Sequence, residues 1–348
     1  MKSRKYKVAE SVFEIILEEP WNFMDYSDVV LERIRRAAAG EPGLEILPTR
    51  AGDKEPHRTL VQLRSELPEN FDPRRDLDLS QYEPFRYEGD AEPVFSLTVK
   101  AGLEGLPDIG RKLMRVDVQM PYYTIYDKDG APSITLDEHP DTGVPSATLC
   151  MDPSFRSGSL FPHEGIRPSS LVFEISTALM MMFTYNLSSK GTVLMHASVV
   201  RHKGKANIFL GKSGTGKSTH SHLWLEHVEG CDLLNDDNPV ISIAPDGTPI
   251  VYGTPWSGKT PCYRNVSAPV RAIVRLEQKS ENIITRKEGF LAYTDIIGSI
   301  SSIRWNRPVM DGINDTAEKL VLGARIFTLG CRPDREAAMV CMEAVESE

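Results

Sequence analysis

The sequence has no Cys-x-x-Cys pair, no excess of basic charge, and no apolar run long enough for a plain membrane span. Its five cysteines, Cys150, Cys231, Cys262, Cys331 and Cys341, are odd in number and far apart. That argues against a disulfide framework and against a cysteine-built zinc site, and a reducing cytoplasm is the compartment it predicts. Lys and Arg number 40 against 49 Asp and Glu, a formal charge of -9, so no broad field for a nucleic-acid backbone or an anionic membrane is expected. Any anion must be met by a local site. Met1-Lys2-Ser3-Arg4-Lys5 is basic, but Tyr6-Lys7-Val8-Ala9-Glu10 follows in place of an apolar stretch, so no secretory signal is expected. The longest apolar stretch, residues 171–185, is interrupted by Glu174 and falls short of the roughly 20 residues a span requires. It reads as a buried helix. No internal repeat or low-complexity tract is evident.

Hydrophobic residues make up 41% and charged residues 26%, the composition of an ordinary globular chain, and 348 residues suit two domains. Residues 40–95 are rich in Glu, Asp, Arg and Pro without sustained periodicity and read mostly as loop. Strand-like runs follow at 94–99, 114–118 and 122–126, separated by Gly, Pro and Asp-Gly turns. The first part, 1–160, therefore reads as an α+β module of short strands, with a soft boundary in the Ser, Pro and Gly-rich stretch 153–168. Beyond it, over 161–348, the pattern is a helix (about 169–185), a strand (about 192–201), a Lys203-Gly204 turn and a strand (about 206–210). A helix through Leu223 and Leu225, a short strand near Leu233-Leu234, and strand-like runs at 240–243, 249–252 and 272–276 come next. Asp246-Gly247 is a hairpin signal, and 314–324 and 334–345 have helical spacing. The fold class is a mix of α/β and α+β.

Gly211-Lys212-Ser213-Gly214-Thr215-Gly216-Lys217-Ser218 satisfies G-x-x-x-x-G-K-[ST], the Walker A pattern, between the apolar strand Ile208-Phe209-Leu210 and a helical segment, and the match extends through Thr219, a further nucleotide-binding candidate. Glycines let backbone N–H groups approach phosphate oxygens, some at positive φ, and the helix N-terminus behind them favours an anion. Lys217 is the expected partner of the β- and γ-phosphates and Ser218 a ligand of Mg²⁺, so ATP with Mg²⁺ is the expected cofactor pair. Asp236-Asp237 follows the apolar pair Leu233-Leu234, where a neighbouring strand would end beside the phosphates. Two adjacent carboxylates can divide the work, one holding Mg²⁺ and the other taking a proton from an attacking hydroxyl. The same tetrapeptide, Asn235-Asp236-Asp237-Asn238, also suits a solvated turn.

The stretch 211–237 resembles the nucleotide sites of HPr kinase/phosphorylase and of ATP-dependent phosphoenolpyruvate carboxykinase. In those families a Gly-x-Ser-Gly-x-Gly-Lys-[Ser/Thr] loop leads into a helix and then to an Asp-Asp pair. Here Ser213-Gly214-Thr215-Gly216-Lys217-Ser218 and Asp236-Asp237 stand in that order. HPr kinases also carry a His-Gly dipeptide on the strand before the loop strand; this chain has His196-Ala197-Ser198, a departure that puts a second acidic helper there in doubt. The resemblance runs over about 194–259. It implies a carboxykinase/HPr kinase-like P-loop domain preceded by the smaller α+β module, with His196 assisting. By the order in the resembling kinases Asp236 is the base, and Asp237 joins Ser218 at the metal.

Gly253-Thr254-Pro255-Trp256-Ser257-Gly258-Lys259 is turn-rich and leaves a strand near the same sheet edge. A lysine and backbone amides there suit clamping of a transferring phosphoryl group, with Lys259, Arg264 and Asn265 the polar candidates; a structural loop anchored by Trp256 fits equally. His220, His222 and His227 sit on the helix after the loop, but residues two apart on a helix do not share a face, which argues against chelation. Trp224 and Met180-Met181-Met182 read as helix packing. The leading expectation is an ATP-dependent kinase acting on a hydroxyl, a serine of a protein or peptide by the resemblance, or a small molecule. A carboxykinase-like lyase would need an arginine cluster, and none is evident upstream of the loop. A nucleotide-binding regulator without turnover is the alternative from another class. Nucleic acid and membrane are not expected partners, and a homo-oligomer is left open.

Overall fold

Alternating apolar and polar residues open the chain as a hairpin. The computed structural model describes residues 1–39, 71–116, 122–137, 144–258, 262–302 and 305–347. In it, β1 (Lys2–Val8) and β2 (Ser11–Leu17) pair antiparallel and bury Tyr6, Val8, Phe13, Ile15 and Leu17. Ala9 and Glu10 join them with φ of 48° and 62°, the left-handed values a two-residue hairpin turn requires. After β3 (Asn22–Phe23) come α1 (Asp28–Ala39), β4 (Asp76–Leu77), a 3-10 turn at Ser80–Phe85 and β5 (Arg86–Tyr87). Of these, β4, the 3-10 turn and β5 fall within the stretch 40–95 that reads as loop. Their strands are two residues long and are held by pairing with distant partners, β3 with β4 and β5 with β1, so no local period announces them. Residues 40–70 of that expected loop lie outside the described residues.

The first compact unit, Met1–Glu32 with Ser65–Asn186, adds β6 (Phe95–Val99), β7 (Arg111–Val116), β8 (Tyr122–Lys128), β9 (Ala131–Asp137), β10 (Pro145–Met151) and β11 (Ser157–Pro162). One sheet runs β5-β1-β2-β6-β11-β10-β9-β8-β7, in which β6 is parallel to both β2 and β11. Helix α2 (Pro168–Leu187) carries the long apolar run. By length and composition alone the segment Pro168–Lys190 passes for a membrane span, yet most of its apolar window is buried. Phe183 meets Phe95 edge-on at 6.5 Å, and Ser176 Oγ accepts from Tyr82 at 3.0 Å and Gln81 at 3.2 Å. Gly158 leaves room for Met182, whose sulfur would lie 2.5 Å from a Cβ there. Because α2 packs in this way, the division falls after Asn186 and not at 160.

The second unit, Arg33–Arg64 with Leu187–Glu348, contains β12 (Thr192–Leu194), β13 (Ala197–His202), β14 (Lys205–Leu210), α3 (Lys217–His227), β15 (Asp232–Asp237), β16 (Val240–Ile243) and β17 (Pro249–Tyr252). It continues with β18 (Ser267–Gln278), β19 (Ile283–Lys287), α4 (Gly289–Ile297), α5 (Arg307–Gly323), β20 (Arg325–Cys331) and α6 (Arg335–Glu346). The strand order is β12-β16-β17-β18-β14-β13-β15, with β20 joined to β18 and β19 to β20. β18 is the spine, antiparallel to β17 and parallel to β14 and β20. The strand expected over 192–201 is broken at Met195 and His196. There the pairing partner changes: Met195 bridges Ile300, and His196 N donates to Ser299 O at 2.7 Å. Asn306 caps α5 from Val309 N at 3.1 Å, and Asp334 caps α6 from Ala337 N at 3.0 Å. The core between the sheet, α3 and α6 holds Phe209, Trp224, Val274, Phe327, Cys341 and Val345.

Candidate functional site

Every residue from Ala206 to Leu210 in β14 is buried, so the strand delivers the glycine-rich loop from the middle of the sheet. Gly214 and Gly216 hold φ of 81° and 107°, values that side-chain-bearing residues adopt only with strain. Gly216 is the N-cap of α3 and no side chain caps that terminus, so its first-turn N–H groups face the loop without a side-chain acceptor. Gln278, at the end of β18, braces the loop by donating toward Gly214 O at 3.3 Å and Thr215 O at 3.4 Å.

A chain of polar contacts runs beside the loop. Lys217 is buried; its Nζ lies 2.8 Å from His196 Nε2 and donates to Gly211 O at 3.0 Å. His196 Nδ1 is 3.0 Å from Asp237 Oδ1. The ammonium can only donate, so His196 accepts at Nε2 and carries its proton on Nδ1, toward Asp237. Burial pulls Lys217 below its ordinary range, opposed by the charges of Asp237 and Asp236. Ser218 Oγ donates to Asp236 Oδ1 at 3.0 Å, whereas the expected partner of Ser218 was Asp237. Asp236 is 5% exposed and the Asp237 side chain 33%, so the second carboxylate is the open one.

The segment after β17 is bound to β15. Ser257 Oγ and Gly258 N both donate to Asp236 O, at 2.9 and 2.8 Å, and Ser257 bridges Asp237. Trp256 is buried and anchors it. Lys259 lies outside the described residues. Arg264 does not reach the site: its guanidinium donates to Asp232 Oδ2 at 3.0 Å, to Leu233 O, and to Ala38 O at 3.4 Å. Asp232 starts β15 and Asp237 ends it, about 16 Å apart along a strand. Arg264 is thus a buried structural cation, paired with the aspartate that Arg201 also holds. Asn265 follows it in sequence, ahead of β18.

The histidines of α3 part company. Burial pushes His220 down to about 4, so the neutral ring accepts from Trp224 Nε1 at 3.2 Å and packs against Phe209. His222 is half-buried; burial lowers it and the charge of Asp236 pulls it back up. His222 lies one helical turn after Ser218, and the sequence marks it only as a metal-ligand candidate, which the helix spacing disfavours. Asn235 and Thr254 lie in segments the sequence singles out but are given no role there, and no pattern marks Gln278. Among the described residues, no group of three or more His, Cys, Asp or Glu is placed to hold a metal. The hard oxygens of Ser218 and Asp236 do suit Mg²⁺, which takes one or two protein ligands and completes its shell with phosphate and water.

No family model matches the chain, and no curated protein matches it. Among solved structures it is similar to the Hpr(Ser) kinase/phosphatase from Coxiella burnetii, with a TM-score of 0.27 and 11% identity over 44% of this chain and 93% of that one. The likeness is distant.

Proposed function

We propose that the chain is an ATP-dependent phosphotransferase that moves the γ-phosphoryl group of MgATP to a hydroxyl, of a serine in a protein or peptide or of a small molecule. The observation that carries this reading is the bonded chain Lys217–His196–Asp237 lying beside the Ser218–Asp236 pair at the end of a glycine-rich loop. MgATP, when bound, supplies the phosphoryl group and the cation that offsets its charge. Lys217 then trades Gly211 O for phosphate oxygens, and the uncapped start of α3 offers its N–H groups to the same anion. Ser218 with Asp236 holds the metal. Asp237, the more exposed of the two and oriented by the hydrogen bond from His196 Nδ1–H, accepts the proton of the attacking hydroxyl and carries it as the neutral acid. The roles of the two aspartates are thereby the reverse of the order implied by the resembling kinases. Lys259 keeps its proposed part as a further clamp on the phosphoryl group.

Calorimetry on Lys217→Ala tests the reading. A folded variant is expected to lose about tenfold or more in MgATP affinity, the worth of a hydrogen bond to a charged group. Phosphate transfer from γ-labelled ATP to lysate proteins and to a panel of metabolites is expected from the parent and not from the variant. Unchanged affinity in folded Lys217→Ala would end the proposal.

A further inference from the structure

Asp237 holds a backbone conformation that only glycine adopts freely, with φ at +128°. Successive residues of a strand face opposite sides, so in a regular β15 the two aspartates would diverge. They do not. Asp236 meets Ser218 and Asp237 meets His196, each at 3.0 Å, and both partners belong to the chain of groups around the start of α3. The positive φ is what breaks the alternation. Such strain persists only where the surroundings over-determine it.

The surroundings do so through one hydroxyl. Thr254 is fully buried; its Oγ1 donates to Asn238 O at 2.8 Å and accepts from Asn235 Nδ2 at 3.2 Å and from Trp256 N at 3.2 Å. A hydroxyl has one proton to give and two lone pairs, and all three are used. Asn235 and Asn238 flank the Asp pair, so Thr254 pins the strand on both sides of the strained residue. Between them, Ser257 Oγ and Gly258 N hold Asp236 O, and Gly258 lacks the side chain that would crowd Asp237, whose Cβ would lie 3.0 Å from one there. Asn235 gives a second, independent sign: it is fully buried, and its Oδ1 has no hydrogen-bond partner among the described residues. A half-satisfied buried amide is a stability cost that an apolar residue of similar size avoids. Its Nδ2 bond to Thr254 is the compensating gain.

We propose that Thr254 is the positioning residue of the Asp pair, clamping Asp237 in its strained conformation so that both carboxylates serve one side of the strand. The catalytic meaning of the clamp rests on the phosphotransferase reading; the clamp itself is a matter of stability. Asp237→Gly and Asp237→Ala are compared by denaturant unfolding, each with Thr254 intact and with Thr254→Val. Both lack the carboxylate, and only alanine inherits the strain. With Thr254 intact, Asp237→Gly is expected to exceed Asp237→Ala by about tenfold in folding constant. With Thr254→Val the backbone relaxes, and the difference is expected to vanish or reverse, since glycine then loses more chain entropy. A tenfold gap that survives Thr254→Val, or no gap at all with Thr254 intact, overturns the clamp. Thr254→Ala, which also removes the hydroxyl, takes the place of Thr254→Val should the latter not fold. In the transfer assay Thr254→Val is expected to keep MgATP affinity and lose roughly 10²-fold in kcat, with Thr254→Ser restoring it. Parent-like kcat in Thr254→Val also overturns the proposal. A parent chain that neither binds MgATP nor transfers phosphate removes the phosphotransferase reading alone, because the unfolding comparison still decides the clamp.

Discussion

Asp236 and Asp237 differ by one position and meet different chemistry: one is buried against a hydroxyl, the other lies open against a histidine. Their replacements are therefore expected to differ in kind. Asp236→Asn should weaken the Mg²⁺-dependent part of ATP binding, while Asp237→Asn should spare binding and cut transfer by roughly 10² to 10⁴-fold, the usual worth of a general base. ATP affinity and transfer rate, measured side by side for the two variants, check this. Matching parent-like values in both would leave the pair with no part in metal binding or transfer. At this scale the sequence was partly legible. The doublet, the loop and His196 stood out because their residue types and order are unusual together, and the structure brings them within hydrogen-bonding distance. Which carboxylate faces which partner was not readable, because strand alternation is broken at Asp237 by a backbone angle held from Thr254 and Ser257. Arg264 was misplaced for a related reason: its charge is answered by Asp232, at the far end of the strand from the pair.

Among the elements, α6 shows how a terminus is tied down. Its last residue, Glu346, takes His202 Nδ1 at 2.6 Å, Arg271 Nη1 at 2.7 Å and Lys203 Nζ at 2.9 Å. Burial alone would push Glu346 up, but the hydrogen bonds from Lys203 and His202 and the charges of His202 and Arg271 outweigh it, and the carboxyl sits below its ordinary 4.5. A depressed carboxyl contributes stability that is whole above its unfolded value and is lost as pH falls below it. Glu346→Gln is thus expected to be less stable than the parent at pH 7 and to converge on it as the pH drops below about 4.5. Urea unfolding across that range checks it, and a constant difference at all pH values would speak against the charge network. Helix α6 itself was legible, because an aspartate cap precedes apolar residues at helical spacing. Strands β3 to β5 were not, since two-residue strands have no period to detect.

On the scale of the whole chain, the two units interleave along the sequence. The chain passes from the first to the second within α1, returns at Ser65, and leaves again after Asn186. Short-range patterns carry no trace of such excursions, which is why a single boundary was expected. The last turn of α1 belongs to the second unit, where Ala38 O accepts from Arg264 Nε across 226 positions. That bond bears on how the molecule comes off the ribosome. The helix end is synthesised 226 positions before the side chain that holds it. A nascent chain stopped short of Arg264 should therefore present α1 to proteases that the finished protein resists. Trypsin applied to full-length Arg264→Ala, read by mass spectrometry at Arg33, Arg35 and Arg36, is expected to cut there faster than in the parent; equal rates would mean that α1 docks without Arg264. Order of synthesis and order of docking thus differ at α1, whose end lacks that donor until Arg264 has been made.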